Sequence, residues 1–186
     1  IKGMTEENLE DVTVIGQKSF VNSLPGGYIN GNNIFNMLNS LAVGYQDSIN
    51  FNNLPIPYAC VSVNAMDGSQ KIHRDGSLPM ARRASMAIPG VFTPVHVGNE
   101  VLVDGGMLNN FPVDVCKAMG ADIIIGVNLS GGLSSDKDKI SALPGLLGQL
   151  FGIITGNQVQ AHAQMCNIYL NPNLKEGGYG TLSFDK

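Results

Sequence analysis

The sequence predicts an α/β fold with three layers, in which a central, largely parallel sheet lies between helices. The clearest observation is a strand at 100–104, a helix at 112–119 and a strand at 121–128. This order is that of a βαβ unit, in which the strands run parallel and the helix covers one face of the sheet. The second strand is rich in isoleucine and valine, as expected of a strand that is covered on both faces.

The composition agrees with a single domain that has a well-buried core. The chain has 186 residues, of which 44% are hydrophobic and 14% charged, against about 25% charged in average soluble proteins. The net charge of −4 and the isoelectric point near 5.2 disfavour a nucleic-acid partner, since such proteins carry a basic patch. The apolar stretch at 143–155 is interrupted by Gly and Pro and is shorter than the roughly 20 residues of a transmembrane helix.

Elements in the first half of the chain are read from apolar periodicity and from turn residues. Apolar residues of 32–41 fall on one helical face, and a branched apolar run followed by Asp-Gly indicates a hairpin. The predicted elements are a helix starting at Thr5, a turn at 24–27, a helix at 32–41, a strand at 58–63, a turn at Asp67 and Gly68, a strand at 70–73, and a helix that Ser77 and Pro79 begin and that ends near Ala87.

The second half continues after the βαβ unit, whose helix Gly120 is expected to terminate. A polar loop is predicted at 131–139, one or two helices at 140–165 and a last strand at 166–170. The apolar residues of 146–154 favour a helix packed on the sheet. A helix that faces lipid at the mouth of a site is the alternative.

The cysteines are expected to be buried free thiols. Their number is odd and no Cys-x-x-Cys pair occurs, which argues against a zinc site and against a disulfide framework. The histidines show no spacing typical of a metal site or a catalytic triad, so surface or core positions are expected for them. The residues concerned are Cys60, Cys116, Cys166, His73, His96 and His162.

The segment 103–112 is the strongest candidate for chemistry. Asp104 ends a predicted strand, and α/β folds place ligands at the carboxyl ends of their strands. Gly105 and Gly106 remove side chains next to this carboxylate, so that backbone or substrate can approach. Asn109 and Asn110 add short polar groups before the next helix. Because Asp-Gly-Gly is also good turn chemistry, an ordinary turn is the alternative.

A second candidate lies at 76–95, where Ser85 falls on a helix face made of small residues. Small residues allow a helix to pack closely on a sheet, so a structural helix followed by a proline-bounded loop is the preferred interpretation.

With these two segments in order, the chain resembles the patatin-like phospholipases, a family of lipid acyl hydrolases. The amino-acid sequences of the matching segments are most similar to those of bacterial members. The resemblance is dense over residues 28–130 and loose elsewhere. Its segments lie at 51–58, the hairpin turn at Asp67, 81–92, 102–106, 109–113 and 119–127.

The resemblance implies a patatin-like α/β/α fold and hydrolysis of lipid acyl esters by a Ser–Asp dyad without metal or cofactor. It assigns the role of base to Asp104, with Gly105, Gly106, Asn109 and Asn110 as supporting motif residues. In such a scheme the carboxylate takes the proton of the serine hydroxyl, which is otherwise a poor nucleophile. A partly desolvated carboxylate has the raised proton affinity that this role needs.

The sequence departs from the family pattern at the nucleophile. No Gly-x-Ser-x-Gly segment and no glycine-rich oxyanion segment occur, and Val63-Asn64 stands where many relatives have Thr-Asp. Residues 1–186 are therefore expected to form a single, partial patatin-like domain, incomplete at its N-terminus. This chain would carry the Asp half of the dyad, be inactive alone, and leave a sheet edge exposed for the missing N-terminal part of the same domain.

Several alternatives stay open at this stage. The chain is either part of an active hydrolase or a protein that lacks the nucleophile, such as a non-catalytic lipid-binding or scaffolding module. An acyltransferase, in which another acceptor replaces water, is a third reading. The resemblance implies a lipid or acyl-ester substrate and a membrane surface as partners. Its likeness to barrel-linked bacterial members favours the cell envelope over the cytoplasm, although no targeting segment is recognised.

Overall fold

The computed structural model describes residues 27–130 and 143–172, which form a mixed α/β structure. The predicted helix start at Thr5, most of the turn at 24–27 and the loop at 131–139 lie outside these residues. The elements in chain order are β1 (Gly27–Ile29), α1 (Asn32–Leu41), β2 (Ile49–Asn50), β3 (Cys60–Asn64), β4 (Ser69–His73), β5 (Asp75–Gly76), α2 (Leu78–Ser85), β6 (Gly90–Phe92), β7 (Val95–Val97), β8 (Glu100–Asp104), α3 (Val113–Ala118), β9 (Ile125–Val127), α4 (Leu143–Ala163) and β10 (Ile168–Leu170), with 3₁₀ turns at Phe51–Asn53 and Gly105–Met107.

The largest described sheet has four antiparallel strands in the order β4-β3-β8-β7. The predicted hairpin is confirmed: β3 and β4 pair from Cys60 opposite His73 to Asn64 opposite Ser69. Its turn uses Gly68 at a φ of 72°, a conformation that glycine adopts without strain. On its other side β3 pairs with β8, so that Ser62 lies opposite Asp104. The register of the sheet thus places the candidate aspartate next to Ser62 on the neighbouring inner strand, β3.

A central, largely parallel sheet is not confirmed by the described residues. Parallel pairing is found there in two small sheets, β1 with β6 and β9 with β10. The strand–helix–strand order of β8, α3 and β9 is present, but β8 and β9 belong to different sheets. The prediction of a βαβ unit within one sheet was therefore wrong for these strands. Pairing depends on which strands meet in space, and element order along the chain does not determine it.

Small residues of α2 and of the segment directly after it bring this helix close to the antiparallel sheet. Ala81 packs with Phe51 and Cys60 in one core cluster, while Ala84 and Ala87 pack with Leu102 in a second. The predicted close packing of the small-residue face is confirmed. Ser77 occupies the N-cap position as predicted, but its side chain makes no capping hydrogen bond there.

A third core cluster joins α3, β9 and α4. Phe111, Val113 and Ile124 are buried in it, and Val159 and Ala163 of α4 pack against them. The region 140–165 thus contains one described helix, and the last strand is confirmed at Ile168–Leu170.

The prediction that the strand at 121–128 is covered on both faces was wrong for the described structure. Ile125 and Val127 are 60% and 49% exposed, and Ile168 and Leu170 of the neighbouring strand are exposed beside them. On α4, four apolar side chains expected to pack on the sheet are exposed as well: Leu146, Leu150, Ile153 and Ile154.

The cysteines differ from the expectation of uniform burial. All three are free, but Cys60 is buried, Cys166 is partly buried and Cys116 is exposed. Cys116 lies in the last turn of α3, whose buried residues are Val113 and Val115, so the helix turns it away from the core. An apolar neighbourhood in sequence did not indicate on which face of this short helix the thiol lies.

Candidate active site

Asp104 is the last residue of β8, as the sequence predicted. Its backbone N–H donates to the carbonyl oxygen of Ala87 over 3.0 Å, which links the end of the strand to the segment following α2. The next three residues turn in a 3₁₀ conformation, with Asp104 at the N-cap position. The backbone at Asp104 is therefore held both by the sheet and by the segment that follows α2.

The two carboxylate oxygens of Asp104 differ in their hydrogen bonding. Oδ1 accepts a hydrogen bond of 2.7 Å from the backbone N–H of Gly106. Among the described residues, Oδ2 has no donor within hydrogen-bonding distance. Burial raises the pKa of Asp104, and the bond from Gly106 opposes this rise only in part. One oxygen is thus anchored, while the other is available to accept a proton.

The two glycines that follow have close neighbours on the side where a Cβ would lie. A Cβ on Gly105 would lie 2.5 Å from the backbone carbonyl carbon of Val61, because the 3₁₀ turn rests directly on β3. A Cβ on Gly106 would lie 2.8 Å from Oδ1 of Asn110 and 3.0 Å from Oδ1 of Asp104. The carbonyl of Val61 and two side-chain oxygens therefore surround this turn closely.

The two asparagines have different surroundings. Asn109 is 2% exposed, and its Nδ2 donates to Asp114 Oδ1 over 3.0 Å. Its backbone N–H donates to the carbonyl oxygen of Gly105 over 2.8 Å and so stabilises the 3₁₀ turn. Asn110 is exposed and its Nδ2 donates to Ser130 Oγ, while its Oδ1 faces Gly106. Of the two, Asn110 is the one whose side chain lies next to Gly106.

A buried Ser–His pair lies beside Asp104 and was missed by the sequence reasoning. Ser62, opposite Asp104 in the sheet, is fully buried, and its Oγ is 2.7 Å from Nε2 of His73. Burial, followed by the charge of Lys71, lowers the pKa of His73. The hairpin turn at Asp67 sets the register of β3 and β4, so the pair was readable from the sequence.

The second candidate segment is structural at Ser85, as preferred. Ser85 hydrogen-bonds the thiol of Cys60, whose pKa is raised by burial. Arg82 lies over the ring of Tyr58 at 5.1 Å, and burial raises the pKa of Tyr58 to about 12. These contacts attach α2 to Tyr58 and to Cys60, the first residue of β3.

The remaining histidines are also accounted for by their positions. His96 is exposed, and His162 is buried with its Nδ1 2.6 Å from the carbonyl oxygen of Phe111. Over residues 27–130 and 143–172, no group of three or more His, Cys, Asp or Glu side chains is placed to hold a metal ion. Within the same ranges no helix combines the length and the hydropathy that crossing a bilayer requires.

The described fold and site define an α/β protein with a partly desolvated aspartate at a strand end, followed by two closely packed glycines. The family model of the patatin-like phospholipases matches residues 16–117, which is more than half of the chain. The chain belongs to this family.

Similar proteins come from bacteria and animals. An uncharacterised NTE family protein of Mycobacterium tuberculosis is 39% identical over 115 residues, which are 59% of this chain and 20% of that protein. A second NTE family protein, from Mycobacterium bovis, is 41% identical over 78 residues, 42% of this chain and 22% of that protein. Patatin-like phospholipase domain-containing protein 7 of Mus musculus is 34% identical over 76 residues, 40% of this chain and 6% of that protein. The chain spans about a fifth of the length of the bacterial relatives that it matches.

Proposed function

We propose that this chain is part of a lipid acyl hydrolase in which Asp104 is the base of a Ser–Asp dyad. The observation that carries the proposal is the state of the Asp104 carboxylate: burial raises its pKa, Oδ1 is held by Gly106, and Oδ2 has no donor among the described residues. A base needs a proton affinity above that of an ordinary aspartate and a free oxygen in a fixed position.

The chemistry is acyl transfer through a covalent intermediate. A serine Oγ attacks the acyl carbonyl carbon while its proton passes to Oδ2 of Asp104. The tetrahedral intermediate then expels the alcohol, which takes that proton, and water repeats the sequence to release the fatty acid. The sequence has no Gly-x-Ser-x-Gly segment, so we propose that the serine and the oxyanion donors come from residues outside these 186.

Histidine has no role in this scheme. The described histidines are either exposed, as His96 is, or engaged elsewhere: His73 with Ser62 and His162 with the carbonyl of Phe111. A desolvated carboxylate replaces the usual imidazole as base, because burial disfavours its charged form. Asn110 contributes a polar side chain next to Gly106, at the edge of the proposed site.

The proposal also concerns the architecture of the whole domain. Residues 1–186 would form one partial patatin-like domain, completed by an N-terminal part that supplies the serine. The complete domain would have the three-layer form with a central, largely parallel sheet. The exposed apolar face of β9 and β10, with Ile125 and Leu170, supports this architecture, because uncovered branched residues of a sheet normally face another layer.

Labelling with a fluorophosphonate combined with hydrolysis of phospholipids and short-chain esters tests this function. The 186-residue chain is expected to take no label. A gene product that includes an upstream Gly-x-Ser-x-Gly segment is expected to label at that serine and to hydrolyse esters. There Asp104→Asn should lower kcat by about 10²–10⁴-fold, whereas the control Asp122→Asn, at an exposed aspartate, should not.

Other outcomes would redirect the assignment. Full activity of Asp104→Asn would exclude Asp104 as the base. Absence of label and hydrolysis in the longer product would indicate a non-catalytic lipid-binding protein. Acyl esters formed in the presence of an added alcohol, in place of free fatty acid, would indicate an acyltransferase.

A further inference from the structure

A cavity of about 250 Å³ lies between the start of α1, the middle of α2 and the loop that joins β6 to β7. Its walls include Asn30, Gly31, Asn32, Arg83 and Thr93. None of the nine residues that line it is Asp or Glu. The cavity is therefore polar on one side and contains no negative charge among its lining residues.

Arg83 is a buried cation within this wall, with only 4% of its surface exposed. Its Nη2 donates to the carbonyl oxygens of Asn30 and Thr93 over 3.2 and 2.9 Å. Its Nη1 is buried and has no hydrogen-bond partner among the described residues. Gly31 allows this arrangement, because a Cβ there would lie 2.5 Å from Nη2 and 2.7 Å from Cζ.

The charge of Arg83 is not compensated by a carboxylate in the described chain. The ion pairs found there involve Lys71 with Glu100 and His162 with Asp114. The guanidinium lies 5.4 Å from the ring of Phe92, and burial lowers its pKa. A buried guanidinium without a counter-charge is costly to the fold, and an anion in contact with it would remove that cost.

The N-terminus of α1 adds a second positive group to the same cavity. Gly31 is the N-cap, and no side-chain capping bond is made from this position. The N–H of Asn32 is bonded by Asn30 Oδ1, but the first turn of a helix still presents N–H groups and the positive end of the helix dipole. α1 has ten residues, so this dipole is fully developed.

We propose that this cavity is a binding site for an oxyanion of the phosphate class, held by Arg83 and the N-terminus of α1. A buried guanidinium without a counter-charge among the described residues, beside a helix N-terminus, matches the several oxygens and the negative charge of a phosphate group. The inference does not depend on the proposed hydrolase function. Free phosphate and a phospholipid headgroup share this chemistry, and the experiment separates them.

The test is a titration of the ¹⁵N-labelled protein with inorganic phosphate at constant ionic strength, with chloride as the reference anion. Saturable shifts are expected for the amides of Gly31, Asn32 and Asn33 and for the Arg83 side chain. A second titration uses glycerophosphocholine. Tighter binding of glycerophosphocholine than of phosphate supports a headgroup site, and binding of phosphate alone supports a site for the free anion.

Three variants make the result specific. Arg83→Gln should weaken phosphate binding by about tenfold or more, because it removes a charge-assisted contact. Arg82→Gln, at the next position of the same helix and outside the cavity wall, should leave the affinity unchanged. Arg83→Gln also removes the links to Asn30 and Thr93 and can impair folding, so Asn32→Asp serves as the second variant.

Asn32→Asp keeps Arg83 and all of its bonds. It places a carboxylate at the first residue of α1, where helices favour negative charge, and this carboxylate should exclude phosphate. We expect a folded protein with at least about tenfold weaker binding, since like charge then faces the ligand. The proposal is refuted if phosphate gives no saturable shifts, or if Asn32→Asp binds as tightly as the parent protein.

Discussion

Replacing Gly105 by alanine is expected to destabilise the protein by about 2 kcal/mol, whereas the same change at Gly106 should be nearly neutral. Neither glycine has a positive φ, so the space around each Cβ decides the outcome. At Gly105 the added Cβ meets the backbone carbonyl of Val61 in the middle of the four-stranded sheet. At Gly106 it meets the tips of the Asn110 and Asp104 side chains.

The size of the difference follows from what can move. Overpacking a well-packed position costs about 1–3 kcal/mol, and the upper end applies where the obstacle is strand backbone bonded on both sides. Alanine also restricts the unfolded chain more than glycine does, which stabilises the folded state by about 0.4–1 kcal/mol. The net loss at Gly105 is therefore about 2 kcal/mol. Asn110 is exposed and its side chain can turn away, so at Gly106 the overpacking penalty and the stabilisation from restricting the unfolded chain are of similar size.

Urea denaturation followed by far-ultraviolet circular dichroism measures both variants against the parent protein. A loss of about 2 kcal/mol corresponds to a melting temperature lower by about 4–8 °C for a domain of this size. Equal stability of the two variants would refute the reasoning, because it would mean that the 3₁₀ turn does not rest on the carbonyl of Val61.

Three further changes have defined outcomes. Burial holds the pKa of Asp104 above its unfolded value, so the folded state is favoured at acid pH and this contribution is lost as the pH rises through the folded pKa. Asp104→Asn should therefore raise the free energy of unfolding at neutral pH but not at acid pH. A lower free energy of unfolding for the variant at neutral pH would contradict this. Asn109→Ala should cost about 0.5–1.5 kcal/mol in urea denaturation, since it removes the hydrogen bond from Asn109 to Asp114, and a change below about 0.5 kcal/mol would show that the bond does not stabilise the turn. A thiol reagent should label the exposed Cys116 quickly and the buried Cys60 only on unfolding, and mass spectrometry showing equal rates would refute the burial difference.

Local features of the fold were predictable from the sequence where short-range rules decide them. The helix at Asn32–Leu41 and the hairpin around Gly68 follow from apolar periodicity and from an Asp-Gly turn. The position of Asp104 at a strand end was predictable for the same reason, since a branched apolar run ends there in two glycines. These elements depend on residues that are close in the chain.

Pairing between distant strands was not predictable in this way. β8 meets β3, about 40 residues earlier, as an antiparallel neighbour, although the helix that follows β8 indicated a parallel partner. The Ser62–His73 pair was missed for a related reason: each residue was judged alone, and the register that joins them was not followed through. The exposure of Cys116 depends on the face of a helix of only six residues, which is too short for a clear period.

Two of the three Asp-Gly sequences of this chain, at Asp67 and at Asp104, allow the two interpretations of Asp104 to be compared directly. In the hairpin, Asp67 is exposed and accepts hydrogen bonds from the N–H and hydroxyl of Ser69, and these bonds lower its pKa. Asp104 makes the same kind of turn with Gly106, yet burial raises its pKa. Asparagine would form this turn equally well without burying a charge. Turn formation accounts for Asp67 but does not require the buried charge of Asp104, and this difference favours the proton-accepting role that we propose for Asp104 over an ordinary turn.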